Sequence, residues 1–247
     1  MKQDMTIKWL ESVDSTQDEI HRHLEDLANL SVVAARCQTA GRGQRGNRWA
    51  ARPGENLTFS LLLKPGQDGL RSVPAADQFL LSEVTALAVQ STLSDYGIPA
   101  RIKWPNDIYV GDRKICGMLI ENRLKGRQIV SSIIGVGLNV NQVTFDPDLM
   151  NPTSMAKQTG MQYSVEEVLS AFLSHFSATW DEDRSAIRER FLSLLYHLGE
   201  SHSYTDCTTE TVFEGTIKGI SKRGLLRVEM PDGNIREFAF KEISYII

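Results

Sequence analysis

Between Asp26 and Glu55 the chain carries five arginines, Arg36, Arg42, Arg45, Arg48 and Arg52, and no acidic residue. The net charge of the whole chain is -4, so this positive excess is local. Within the window runs Gly41-Arg42-Gly43-Gln44-Arg45-Gly46-Asn47-Arg48-Trp49. Glycines let a backbone approach a ligand closely and turn its N–H groups toward it. Guanidinium forks beside such a loop suit phosphate or carboxylate oxygens. A solvated basic turn is the plainer alternative. Two further stretches combine glycine with polar groups: Lys103-Trp104-Pro105-Asn106-Asp107, which leads on to Lys114 and Gly117, and Gly135-Val136-Gly137-Leu138-Asn139.

The arginine loop also fits G-x-G-x-x-G, but that fingerprint needs a helix after the glycines and an acid about 20 residues on. Pro53 and Gly54 interrupt any helix, and Leu61 stands where the acid belongs. A dinucleotide fold is therefore rejected.

Elements must carry these groups to one place. Ile7 to Val13 alternates as a strand, and Thr16 with Glu19 forms a capping box for a helix reaching about Leu27. Ser15 and Thr16 are read first as caps, with donation to a ligand as the alternative. Ser31 to Cys37 is a strand that delivers Gln38 into the loop, and Leu57 to Lys64 is another. Pro74 precedes a long helix, Ala75 to Tyr96, closed by Gly97. Arg101 to Trp104, Ile108 to Val110, Ile115 to Glu121 and Gln128 to Gly137 form a meander. Pro105-Asn106-Asp107 by itself is turn chemistry, and Lys114 by itself is a solvated strand start. Gly117 marks a close approach to the backbone. Gly135 and Gly137 share a strand face, where either a large neighbouring side chain or a flat ligand would fill the slot. Helices follow from Ser164 to Trp180 and from Arg184 to Leu198, closed by Gly199. The short strands Phe213 to Ile220, Leu225 to Met230 and Ile235 to Phe240 suggest a separate small β unit, with a boundary between Gly199 and Thr211.

The 247 residues are 41% hydrophobic and 23% charged, enough for a full core. Neither a membrane span nor a signal peptide is read. Cys37, Cys116 and Cys207 read as reduced thiols of a cytoplasmic protein. The five histidines show no metal spacing. A pI near 5.8 argues against a nucleic-acid surface.

One mixed sheet bringing the three glycine segments together would hold an anion with a flat, mostly apolar body. Here the chain resembles the biotin protein ligases. The resemblance rests on Asp14-Ser15-Thr16, Gln38 to Trp49, Lys103-Trp104-Pro105-Asn106-Asp107-Ile108, Arg113-Lys114-Ile115-Cys116-Gly117 and Gly135-Val136-Gly137-Leu138-Asn139-Val140. It implies an α+β fold with a mixed sheet flanked by helices over residues 1–200. A small Src-homology-like β-barrel over 208–247 would follow, in a short form without an N-terminal DNA-binding domain. It implies two steps: biotin and ATP give biotinyl-AMP and pyrophosphate, and a lysine of a carboxylase's biotin carboxyl carrier domain then takes the biotinyl group.

The resemblance also implies roles. Ser15, Thr16, Gln17 and Gln38 would meet biotin with Gly41, Arg42, Gly43, Gln44, Gly117, Gly135 and Gly137. Lys114 would bridge the biotin carboxylate and the α-phosphate, with Arg42 and Arg45 as the other catalytic cations. Trp49, Asn106 and Asn139 would face ATP together with Arg45 and Lys114. Mg²⁺ would arrive on the nucleotide, and no resident metal is expected. The expected state is a monomer or a sheet-edge dimer without nucleic-acid or membrane partners. Gln44 stands where many members have arginine, and no arginine occurs in Glu242 to Ile246. Rival readings are a lipoate ligase, whose Arg-Arg-x-Ser-Gly-Gly-Gly loop is absent, a regulator responding to biotinyl-AMP, and a non-catalytic binding protein.

Overall fold

The structure, a computed structural model, describes residues 5–247 apart from the side chain of Arg45. Strand β1 (Thr6–Leu10), helix α1 (Thr16–Arg22) and strand β2 (Ser31–Ala35) form a parallel crossover unit. Strand β3 (Leu57–Leu63), helix α2 (Phe79–Asp95), and strands β4 (Arg101–Lys103), β5 (Asp107–Val110), β6 (Arg113–Lys125) and β7 (Gln128–Leu138) follow. The seven strands lie in the order β1-β2-β3-β7-β6-β5-β4, antiparallel except for β1 with β2, so the sheet is mixed as expected. Helices α3 (Met155–Thr159), α4 (Val165–Asp181) and α5 (Arg184–Ser193) complete this part.

The register sorts residues between the two sheet faces. Leu57, Leu138, Cys116, Ile108 and Ile102 are cross-strand partners in one row. All five are buried in the main core, together with residues of α2 and α4. The next row, one residue along each strand, is Thr58, Gly137, Gly117, Asp107 and Lys103. Cross-strand partners share a face, so this polar, glycine-bearing row lies opposite the core. Helix α1 covers the β2–β3–β7 end of that face through Ile20 on Val33, Leu62 and Ile133. The rest is left open as a cleft.

A second sheet contains β8 (Ser201–Asp206), β9 (Thr211–Ile220), β10 (Leu226–Glu229), β11 (Ile235–Phe238) and β12 (Ile243–Tyr245), in the antiparallel order β11-β10-β9-β8-β12. Its first and last strands carry no apolar run long enough to read from sequence; β8 is Ser-His-Ser-Tyr-Thr-Asp. The turn between β9 and β10 docks on the first unit, where the buried Trp104 indole N–H donates to the Gly224 carbonyl at 2.9 Å. Arg188 on α5 ties Glu83 of α2 to the carbonyls of Ile220 and Ser221. No described helix is long and apolar enough to cross a membrane.

Several expected boundaries shift. Ser15, not Thr16, is the N-cap of α1, and its hydroxyl accepts from the Asp18 N–H. Helix α1 ends at Arg22, and turns rather than helix lead on to Leu27. The turn after Pro74 is a 3₁₀ turn, Ala75–Asp77, before α2 begins. Helix α5 stops at Ser193, and His197 and Gly199 both take left-handed backbone angles, which end helical continuation.

Candidate functional site

The cleft spans about 470 Å³ counted out to its mouth, within the range of small-molecule sites. Ser15, Thr16, Gln17, Gln38, Arg42, Gly43, Gln44, Trp49, Asn106, Lys114, Gly117, Gly135 and Gly137 line it, so one cleft gathers groups from four distant sequence segments.

Its deep end is polar because α1 and β3 meet there. Gln38 Oε1 accepts from the Thr16 N–H at 2.8 Å and lies 3.1 Å from Thr16 Oγ1. Thr16 Oγ1 is 2.9 Å from Ser60 Oγ, which is 3.2 Å from Gln17 Oε1. These three oxygen–oxygen contacts share only the two hydroxyl protons, so the end of the cleft has acceptors to spare. The Gln17 amide nitrogen donates to Glu121 at 3.0 Å and to the Ile133 carbonyl at 3.2 Å. Ser60 is a contributor that sequence reasoning missed. The available signal was two hydroxyl residues, Thr58 and Ser60, alternating inside the otherwise apolar strand Leu57–Leu63.

The middle of the cleft holds Lys114. Its ammonium pairs with the Asp107 carboxylate at 2.7 Å and lies 5.8 Å from the centre of the Trp49 ring. Asp107, read from sequence as a turn residue, is therefore the partner that holds the lysine. Gly117 lets these groups in, since a Cβ there would lie 3.1 Å from Trp49 Cζ3 and 3.2 Å from Lys114 Nζ. Gly137 does the same for the indole, with a Cβ only 2.3 Å from Trp49 Cε2. At Gly135 a Cβ would fall 2.4 Å from Gln17 Oε1. The slot beside these glycines thus contains the chain's own Trp49 and Gln17, the large-neighbour alternative. The Trp49 Nε1 and Gln44 Oε1 atoms are buried without hydrogen-bond partners.

Two expected residues lie outside the cleft, and a third lines it with its side chain engaged elsewhere. Gly41 sits outside the cleft, where its carbonyl accepts from Trp49 N at 2.9 Å and a Cβ would meet the Trp49 carbonyl oxygen at 2.5 Å. It shapes the base of the loop. Asn139 is buried, with its side-chain amide given to the Thr153 carbonyl at 2.9 Å, so it braces the segment after β7 and does not line the cleft. Arg42 lines the cleft, but its guanidinium is committed to Asp18 and Glu121, each at 2.7 Å. The window around the loop lacks acids, yet α1 and β6 supply two. Burial disfavours the charge on Arg42, but Glu121 and Asp18 outweigh it and raise its pKa. Burial likewise opposes ionisation of Glu121, while bonds from His21, Gln17 and Arg42 hold its carboxyl below the usual range. The expected role of the Arg45 side chain lies outside the described residues. Asn106 donates its amide to the Met118 carbonyl at 2.7 Å, leaving its side-chain oxygen as an acceptor at the Asp107 end.

The cleft is thus acceptor-rich at one end, carries an ion-paired lysine at its centre, and opens toward Asn106 and Asp107 at the other. The model of the biotin/lipoate A/B protein ligase family matches residues 9–139, a span that includes every lining residue named above. The chain is 32% identical over 236 residues to the biotin–[acetyl-CoA-carboxylase] ligase of Paracoccus denitrificans, covering 91% of this chain and 94% of that protein. It is 30% identical to the bifunctional ligase/repressor BirA of Bacillus spizizenii, over 90% of this chain and 68% of that one. Among solved structures, the biotin protein ligase of Aquifex aeolicus in complex with biotin and ATP superposes with a TM-score of 0.78 at 28% identity, covering 97% of each chain. On the matching family model and these identities, the chain belongs to the biotin/lipoate A/B protein ligase family.

Proposed function

We propose that the chain is an ATP-dependent ligase that activates biotin as biotinyl-AMP and passes it to a lysine of a carboxylase's biotin carboxyl carrier domain. The observation that carries biotin over lipoate is the shortage of protons among Thr16, Ser60, Gln17 and Gln38. A ureido group brings two N–H donors to those spare acceptors, and its carbonyl can take the Gln38 amide. A dithiolane brings no N–H donor, so the buried acceptors would stay unpaired. A site built for hydrogen bonding rejects an analogue that lacks them.

With the ureido end there, the carboxylate extends toward Lys114. In the free chain the Lys114 ammonium faces Asp107. With substrates present it turns to the attacking carboxylate and the α-phosphate, where negative charge accumulates as the bond forms. The carboxylate oxygen attacks the α-phosphorus. The bond from that phosphorus to the bridging oxygen breaks, and its electron pair leaves on pyrophosphate. Asn106 and Asp107 are oxygen donors suited to the Mg²⁺ that ATP brings. Trp49 walls the slot over Gly117 and Gly137. Gln44 and Arg45 belong to the same reading as the loop groups nearest the phosphate. In the second half-reaction the carrier lysine attacks the acyl carbonyl and AMP leaves. The reading also has a ligase unit over residues 1–200, the cytoplasm as compartment, and a small β unit that begins earlier than the expected 208, because β8 (Ser201–Asp206) belongs to its sheet.

The test supplies purified carrier domain with labelled biotin or labelled lipoate, with and without ATP. Label should transfer from biotin only, and only with ATP. Transfer of lipoate, or none with either acid, overturns the reading.

A further inference from the structure

Lys103 is a half-buried cation that this mechanism has not used. It sits on the site face at the β4 end of the row Gly137, Gly117, Asp107, Lys103. Among the described residues its ammonium has no ion-pair partner, because Asp107, directly opposite it on β5, is paired with Lys114. It lies instead over two aromatic faces, 5.1 Å from the Tyr109 ring centre and 4.4 Å from that of Tyr245. Tyr245 comes from β12, so the second sheet supplies one wall of this cage.

The order of groups along the sheet has a chemical direction. The acceptor-rich end lies by β3 and α1, Lys114 and Gly117 on β6, Asp107 on β5 and Lys103 on β4. Strands are spaced by about 4.8 Å, so Lys103 lies about 10 Å beyond Gly117. In phosphoryl transfer the attacking and leaving oxygens are roughly in line. A carboxylate arriving from the β3 side therefore expels its leaving group toward β4.

We propose that Lys103 binds the β- and γ-phosphates of ATP and takes up the charge on departing pyrophosphate. This rests on the ligase reading above. Carboxylate and ATP give acyl-adenylate and pyrophosphate, so the largest change in charge away from the α-phosphorus falls on the leaving group. Lys114 stabilises the centre of the reaction, and Lys103 its exit. Burial pushes the Lys103 ammonium below its usual range and the nearby Lys114 charge adds to this, against the opposing pull of Asp107. A polyanion beside the ammonium would reverse that penalty. The Tyr109 and Tyr245 rings flank the ammonium.

A purely structural Lys103, packed by its stem between the rings, would behave differently on substitution. Lys103→Met keeps the stem and removes the charge, and Lys103→Arg keeps the charge. The measurements are biotin binding, the KM for pyrophosphate in the reverse reaction from purified biotinyl-AMP, and transfer from purified biotinyl-AMP to the carrier domain. Pyrophosphate is absent from the transfer step. Lys103→Met should raise the pyrophosphate KM about 10- to 100-fold, the worth of one charge-assisted hydrogen bond. Biotin affinity and transfer should stay within about twofold of the unsubstituted chain, a change below the size of one neutral hydrogen bond. Lys103→Arg should recover most of the pyrophosphate affinity. An unchanged pyrophosphate KM in Lys103→Met overturns the assignment, as does an equal loss in the transfer step. An unsubstituted chain that forms no biotinyl-AMP overturns the ligase reading itself, and this assignment with it.

Discussion

A Gly137→Ala substitution would place a methyl carbon 2.3 Å from Trp49 Cε2, 2.5 Å from Nε1 and 2.7 Å from Cδ2. Relaxed carbon–carbon contacts lie near about 3.5–4.0 Å, so the indole must retreat by more than about 1 Å. The ring is rigid, and no terminal rotation of a flexible chain relieves the clash. Gly137 lacks a positive φ, so alanine suits its backbone and the cost is steric. Overpacking of this kind costs about 1–3 kcal/mol. For a chain of this size each kcal/mol lowers Tm by about 2–4 °C. The assay is a double-mutant cycle of Gly137→Ala and Trp49→Ala, read by thermal unfolding without ligand and by biotin binding. With the indole gone the new methyl has room, so the Gly137→Ala penalty should fall to near zero. The interaction energy should then nearly equal the single-mutant cost, about 1–3 kcal/mol. If Gly137→Ala costs the same in both backgrounds, the glycine is not there for Trp49, and the description of the slot is wrong.

Lys114→Ala should lower the rate of adenylate formation about 10²–10³-fold while biotin affinity changes little, measured as pyrophosphate release beside equilibrium binding. Normal turnover would remove Lys114 from the mechanism. Glu121→Gln should loosen the glycine loop by weakening its tie to Arg42, an exposed pair worth about 0.2–1 kcal/mol. Limited proteolysis after Arg48 should quicken about 1.5- to 5-fold, and unaltered cleavage would show that the pair does not hold the loop. His197 stacks between the rings of Tyr196 and His202 at 3.7 and 3.4 Å, and burial with His202 lowers its pKa to about 4. Below about pH 6.5 the unfolded chain binds a proton that the folded chain refuses until about pH 4, so stability should fall across that window. The group is partly exposed and screened, which brings the loss to about 1–2 kcal/mol. Denaturant unfolding at pH 7 and pH 4.5, with and without His197→Gln, should show the substitution removing that part of the pH dependence.

Local pattern already determined much of this protein. Alternation in Ile7 to Val13, together with Pro74, Gly97 and Ser164, located a strand and the ends of helices, because period and capping are local properties of a chain. The arginine-glycine loop and the paired glycines marked the site because such residues are unusual in ordinary strands and turns, whereas Lys114 by itself read as a solvated strand start and was singled out by the family resemblance. Polar or short strands escaped, as with β8 and β12, whose stability comes from neighbours rather than from their own residues. The partner of each site group was decided only by the fold. Sequence showed Arg42 without acids nearby, and the register of β6 with the packing of α1 brought it Glu121 and Asp18. Asp107 read as a turn until the β5–β6 pairing set it opposite Gly117, where the Lys114 ammonium reaches its carboxylate. Gly137 left two fillings of its slot open, and tertiary packing selected Trp49. Ion pairs and steric contacts act through a few ångströms of space, and residues a hundred positions apart become neighbours only when the sheet sets its strand order.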